Sequence, residues 1–330
     1  MTDLTTQYLG LQLKNPIIVG SCGLTSTVDD IKSLEKHGAA AVVLKSIFEE
    51  DILFEADQKL KDAKQNKLIY SNGSETIDYI DIETREERLN NYLNLIKDLK
   101  KEVLIPVIAS INCISDSEWV SFASRIEKAG ADAIELNIFL NPANLEENDF
   151  EKTTLNIINK VSNNVSIPIS IKLGNFFTNL GQSVVKLSKS DIAGMVLFNR
   201  FYSLDIDLEK CEVVSGHILS SPDSYLSALR WVAILSGKVN CSIAASTGIH
   251  DARAVIKQIL AGADAVQIVS TLYINGNEQI GHILSDMEKW MENKGYLSVK
   301  QFKGVLSYER TTNPAEYERL QFMKHHGKII

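Results

Sequence analysis

The sequence lacks any apolar run near the ~18 residues that a membrane span needs, and its first residues carry no basic stretch followed by an apolar one. These absences predict a cytoplasmic protein with no membrane partner. Cysteine is scarce: Cys22, Cys113, Cys211 and Cys241 are the four, with no CxxC among them. That spacing argues against zinc, an iron–sulfur cluster or a disulfide framework, so no metal is expected and the thiols read as small apolar side chains. Basic charge is not in excess either. A formal net charge of −8 and a pI near 5.4 oppose a general attraction to nucleic acid or anionic lipid, while leaving room for a local phosphate pocket. No GxGxxG follows an early strand, which lowers an open dinucleotide-binding sheet. No low-complexity linker divides the chain, so residues 1–330 are expected to form a single domain.

What is present is an alternation. Eight short, continuously apolar, β-rich runs lie at 17–19, 41–44, 107–111, 133–136, 169–173, 195–198, 242–245 and 265–269. Such runs are typical of a parallel sheet covered by helices on its outer face. Amphipathic helical stretches separate most of them, at 28–37, 87–101, 116–129, 150–162, 223–236 and 251–261, with a C-terminal helix near 277–293. Thr27 is placed as the first N-cap and Gly38 as its helix stop. A weak repeat runs through His37-Gly-Ala-Ala-Ala-Val-Val-Leu, Ala129-Gly-Ala-Asp-Ala-Ile-Glu-Leu and Ala261-Gly-Ala-Asp-Ala-Val-Gln-Ile. Each copy reads as helix, glycine stop, small turn, buried strand. Eight such strands within about 250 residues favour a closed (β/α)8 TIM barrel over an open sheet. Segments 46–86 and 199–222 are long, polar and poorly periodic, and read as loops or insertions over the barrel mouth.

In this architecture functional groups gather where strands end. Those positions hold Ser21 and Cys22, Lys45 and Ser46, Ser110 and Asn112, Glu135 and Asn137, Lys172, Asn199 and Arg200, Ser246-Thr247-Gly248, and Ser270-Thr271. Thr247 and Gly248 precede a helix start near His250 and Asp251, and a glycine turn opening a helix is suited to phosphate, although a plain capped turn has the same residues. Lys172 lies inside Ile167-Pro-Ile-Ser-Ile-Lys-Leu-Gly, where an ammonium without an anionic or electron-rich partner would be costly. Lys45 follows the same logic after Val42-Val43-Leu44, and snorkelling from a strand end is the alternative for both lysines. Two inward lysines, the amides of Asn137 and Asn199 and a phosphate turn describe a site for a polar, planar, phosphorylated cofactor.

At this point the chain resembles the dihydroorotate dehydrogenase family. The resemblance rests on Asn15-Pro-Ile-Ile, Leu44-Lys-Ser, Ile105-Pro-Val-Ile-Ala-Ser-Ile, Glu135-Leu-Asn, Ile171-Lys-Leu, Ser246-Thr-Gly-Ile and Ala261-Gly-Ala-Asp-Ala-Val-Gln-Ile-Val-Ser-Thr, in family order. Leu197-Phe-Asn-Arg-Phe-Tyr, Leu219-Ser-Ser-Pro and Leu229-Arg-Trp-Val-Ala-Ile-Leu-Ser-Gly are similar to a dihydroorotate dehydrogenase-like branch. The resemblance implies an FMN barrel that oxidises dihydroorotate to orotate in pyrimidine biosynthesis. It implies Ser21, Lys45 and Ser46 along the flavin, Asn137 and Lys172 at the isoalloxazine edge as the catalytic pair, and Thr247, Gly248, Ser270 and Thr271 at the phosphate. It also implies a small-molecule substrate and, as is common in the family, a homodimer; the electron acceptor stays open. One departure stands out. The family's loop after the Glu-Leu-Asn strand bears a Cys or Ser base, whereas here Ile138-Phe-Leu-Asn-Pro-Ala-Asn puts Leu140 at that position and offers no proton acceptor at neutral pH. A flavin enzyme of another small substrate, or a silent flavoprotein with a binding role, therefore stays open beside the leading reading.

Overall fold

The structure is a computed structural model that describes residues 2–48, 74–112, 116–138, 150–175, 177–200 and 204–318. The chain opens with an antiparallel hairpin of β1 (Thr6–Tyr8) and β2 (Leu11–Leu13). Both turn residues, Leu9 and Gly10, have positive φ (55° and 76°), as a tight two-residue hairpin turn requires.

Next come β3 (Ile17–Val19), β4 (Ala41–Val43), the short β5 (Ile47–Phe48), β6 (Val107–Asn112), β7 (Ala133–Asn137), β8 (Ile169–Leu173) and β9 (Gly194–Leu197). A second hairpin, β10 (Leu204–Asp207) and β11 (Glu212–Ser215), precedes β12 (Ser242–Ser246) and β13 (Ala265–Ile268). β3, β4, β6, β7, β8, β9, β12 and β13 pair in parallel, each with its sequence neighbour in that set, and the β13–β3 pairing closes the ring. This is the expected (β/α)8 barrel. The apolar runs mark its strands to within one residue because both faces of each strand are covered, so little polar sequence interrupts them.

Side chains alternate across the wall. Ile17 and Val19 belong to the outer core, with Leu34 of helix α1 (Val28–Lys36) among its members, while Ile18 points into the barrel. Inside, Ile18, Ala41, Val43, Ile108, Ala133, Val196, Ala244 and Ala265 pack with Tyr8, Leu9 and Leu13 of the first hairpin. The many alanines leave the volume that Tyr8 and Leu9 fill. Gly194 is small for the same reason: a Cβ there would overlap Leu9 Cδ2. The amide of Leu9 donates to Ser242 Oγ at 3.3 Å, and Thr6 Oγ1 donates to the carbonyl of Asp264 at 2.8 Å. Both partners stand at strand starts, so the hairpin plugs the N-terminal end.

Thr27 caps α1, with its Oγ1 accepting from the Asp30 amide at 3.2 Å. The outer ring continues with α2 (Ser74–Glu102), α3 (Asp116–Ala129), α4 (Phe150–Ser162), α5 (Leu180–Leu187), α6 (Tyr225–Leu235) and α7 (Ala252–Ala261). Then follow α8 (Ser270–Asn275), α9 (Gln279–Lys294) and α10 (Val299–Phe302). One expectation needs correction: α2 begins at Ser74, thirteen residues before its expected start at 87. Within 199–222, residues 204–215 form the β10–β11 hairpin, an insertion between β9 and β12. Among the described residues no helix is long and apolar enough to cross a membrane.

Candidate active site

The alternation that buries alanines low in the barrel turns polar toward the strand C-termini. On β7, Ala133 is inside, so Glu135 and Asn137 follow on the same face; on β8, Ser170 and Lys172 do; on β13, Ala265 is followed by Gln267. These groups meet. Lys172 Nζ donates to Gln267 Oε1 at 3.1 Å and stands 3.5 Å from Glu135 Oε1. Gln267 Nε2 donates to Glu135 Oε2 at 2.6 Å. Glu135 is 1% exposed and Lys172 8%, so charge is held here with little water to screen it. The ammonium expected to need an anionic partner thus finds one within the protein, with Gln267 and Glu135 as its partners among the described residues.

Asn199 Nδ2 donates to Asn137 Oδ1 at 2.8 Å, bringing the two expected amides together. On the other side of the ring, Ser21 Oγ lies 3.1 Å from Ser46 Oγ and accepts from the Ser46 amide at 2.9 Å. Ser46 Oγ lies 2.7 Å from Ser110 Oγ, and the Tyr92 hydroxyl of α2 accepts from the Ser110 amide at 2.8 Å. Burial pushes the Tyr92 phenol well up, so it stays a neutral hydrogen-bonding group. Lys45 departs from the inward reading: it is exposed, while its amide donates to the Thr25 carbonyl at 3.2 Å. Cys22 is half-buried, and burial raises its thiol above the ordinary cysteine range.

The expected phosphate turn is built differently from a bare helix start. The N-terminus of α7 is capped by Asp251, whose Oδ1 accepts from the Ala254 amide at 2.8 Å, so an anion at that end would face a carboxylate. The donors converge one step earlier. Thr247 and Gly248 both adopt positive φ (76° and 75°), and a Cβ on Gly248 would overlap the backbone at Ser224 and Tyr225. The Gly248 amide donates to Ser220 Oγ at 3.2 Å, the Ser220 amide donates to Ser270 Oγ at 3.0 Å, and His250 Nε2 lies 3.2 Å from Ser220 Oγ. Burial lowers the His250 ring below the ordinary histidine range, which favours its neutral form. Thr247 Oγ1 and Thr271 Oγ1 instead donate to the carbonyls of Phe198 and His250, at 3.1 and 3.0 Å. They shape the turn, while Gly248, Ser220 and Ser270 form a cluster of neutral donors that satisfy one another, Ser220 Oγ also donating to Ser270 Oγ at 3.0 Å, and would take an anion by exchanging those bonds. This donor set fits a phosphate, and the polar barrel end beside it fits a planar group with hydrogen-bonding edges.

The sequence places Glu135 at a strand end without a role of its own, and gives Gln267, Ser220 and His250 no site role. Gln267 carries the signal that exposed Lys172, a polar residue inside an apolar strand run. Ser220 sits in the long segment 199–222 with no periodic context of its own. Leu140 and Cys113 lie outside the described residues.

A closed parallel barrel with its charged and amide groups at the strand C-termini is the architecture of barrel enzymes that work at that end. The particular family follows from the sequence match. The chain belongs to the dihydroorotate dehydrogenase family, whose model matches residues 3–291. It is 26% identical over 312 residues to the catalytic subunit of dihydroorotate dehydrogenase B (NAD(+)) of Thermoplasma volcanium, covering 92% of this chain and 99% of that protein. It is 25% identical over 310 residues to the protein of the same name from Pyrococcus furiosus, covering 92% and 98%. A putative dihydroorotate dehydrogenase A (fumarate) of Aeropyrum pernix matches at 28% over 210 residues, 62% of this chain and 68% of that one. Members of this family are oxidoreductases acting on CH–CH groups.

Proposed function

We propose that this chain is an FMN-dependent oxidoreductase of a small cyclic substrate, with oxidation of dihydroorotate to orotate in pyrimidine biosynthesis as its leading reaction. The observation that carries the reading is the Lys172–Gln267–Glu135 cluster beside the Gly248 turn at one end of one barrel. Bound FMN would supply the hydride acceptor. Ser220, Gly248 and Ser270 would hold its phosphate through neutral donors, aided by the turn that Thr247 and Thr271 brace. Ser21, Ser46 and Ser110 would line one side of the ring, and Lys45 would reach it from the exposed rim. Lys172 would present its free N–H groups to the ring edge and stabilise negative charge gathering there. The linked amides of Asn137 and Asn199 would orient the substrate.

Relatives named as catalytic subunits of an NAD(+)-dependent dehydrogenase support electron transfer to a second subunit rather than directly to a soluble acceptor. We place the enzyme in the cytoplasm as a single-domain homodimer. A second reading, oxidation or reduction of a different small ring, is favoured by the absence of a proton acceptor from Ile138 to Asn144. The deciding experiment is to purify the protein, record its spectrum and titrate it anaerobically with dihydroorotate. Bleaching of a flavin band by dihydroorotate supports the leading reading. A yellow protein bleached instead by another cyclic imide or enoate supports the second. A flavin that no substrate reduces indicates a silent flavoprotein.

A further inference from the structure

Glu135 is 1% exposed, and among the described residues its Oε1 has no hydrogen-bond partner. Oε2 is held by Gln267 Nε2 at 2.6 Å, whereas Oε1 faces Lys172 Nζ across 3.5 Å, outside good hydrogen-bond length. Gln267 ties the two charges together, donating to the carboxylate and accepting from the ammonium at 3.1 Å. Strand register fixes the order of the groups. Asn137 pairs with Lys172 and Glu135 pairs with Ser170, so the carboxylate belongs to the layer below the lysine, away from the barrel mouth. Two opposite charges so enclosed compensate each other, and removing one member of such a pair leaves the other uncompensated.

We propose that Glu135 is a positioning residue that sets the orientation and the net charge of the Lys172 site. It holds the ammonium from beneath and offsets its charge, so that the flavin ring meets a nearly neutral pair rather than a free cation. The inference rests on the FMN reading above. Its consequence has a sign: Glu135 makes reduction of the bound flavin harder, and Lys172 makes it easier.

The test compares the wild type with Glu135→Gln, Glu135→Asp and Lys172→Met. The readouts are the midpoint potential of bound FMN and the separate affinities for oxidised and reduced FMN. Loss of one charge near the ring predicts that Glu135→Gln raises the potential and shifts the reduced-to-oxidised affinity ratio upward roughly tenfold. Glu135→Asp keeps a carboxylate but withdraws it from Lys172, so it should give a smaller shift in the same direction; it reports independently should the glutamine variant not fold. Lys172→Met should move the potential downward. Should Lys172→Met shift the potential while both Glu135 variants leave it unchanged or lower it, the role of Glu135 is overturned and the FMN reading stands. Equal weakening of both redox forms by the Glu135 variants, with an unmoved potential, marks a purely structural role and overturns the proposal too. A wild-type protein that binds no FMN overturns both.

Discussion

The amide of Val107, at the start of β6, donates to Oδ2 of Asp132 at 2.8 Å. Asp264 repeats the relationship, accepting from the Ile243 amide at 2.8 Å at the start of β12. Each aspartate ends an Ala-Gly-Ala-Asp copy of the repeat, and each pairs with a lysine: Lys100 with Asp132 at 2.7 Å, and Lys303 with Asp264. The repeat therefore has a physical content beyond its glycine stop. Its acidic residue ties the beginning of one strand to the beginning of the next at the closed end of the barrel. Val107 is fully buried, so Asp132→Ala should leave its N–H unsatisfied and cost about 1–3 kcal/mol. Asp132→Asn, which keeps an acceptor oxygen, should cost less. The urea midpoints of the two variants check the order, and a wild-type midpoint for the alanine variant would refute it.

Glu127 makes a similar tie to the segment entering β8. Its Oε1 accepts from the Ser166 hydroxyl at 2.6 Å and from the Ser166 and Ile167 amides at 2.7 and 3.2 Å. These bonds, with that of the Ser166 hydroxyl largest, hold its carboxyl below the ordinary glutamate range. A carboxyl with a depressed folded-state pKa binds its proton more readily in the unfolded chain. Its stabilisation is therefore complete above the ordinary glutamate value and is lost as pH falls toward the depressed one. Glu127→Gln should lower stability at neutral pH and flatten this part of the acid limb. Denaturation midpoints of both proteins between neutral pH and the acid limit measure it; parallel curves would show that the three bonds do not couple to the proton.

The phosphate turn predicts both a cofactor and a sensitive position. Purified protein should be yellow and should release FMN, not FAD or riboflavin, on denaturation, as read by chromatography of the supernatant. Gly248→Ala should abolish FMN retention, because the new Cβ meets backbone at Ser224 and Tyr225 in a conformation that already has positive φ. A folded Gly248→Ala variant with wild-type FMN content would place the phosphate elsewhere.

Much of this arrangement was legible in the sequence, for a local reason. Strands covered on both faces are apolar throughout, and a lone lysine in 169–173 stands out against them. The β10–β11 hairpin carried a readable signal too, since Leu204 and Ile206 alternate with Asp205 and Asp207, but every residue of β11 is exposed and no apolar run marks it. The start of α2 is hidden because its first turns, 74–86, alternate apolar and acidic residues without a clear helical stripe. The partners of Lys172 were hidden by distance along the chain. Gln267 lies 95 residues from Lys172 and 132 from Glu135, and only closure of the ring brings the three together. The same holds for Ser220, which meets Ser270 across 50 residues.

Oxidising dihydroorotate removes a carbon-bound proton as well as a hydride, and a positioned base contributes about 10²–10⁴-fold to such a step. Leu140 cannot serve. Cys22 is a poor substitute, because burial raises its thiol and keeps it protonated at neutral pH. His250 has its ring lowered and so is neutral, but it is bonded into the phosphate turn through Ser220. Turnover of dihydroorotate should therefore be slow while FMN binding stays intact, and Leu140→Cys should restore part of the rate. Single-turnover reduction of the bound flavin, followed against pH, separates the cases. Rapid reduction by the unmodified protein, with a pH profile that shows one essential base, would overturn the missing-base reading and direct the search to Cys113. Slow reduction that Leu140→Cys accelerates, with a new pH dependence in the thiol range, would establish that the family's chemistry persists here with its base removed.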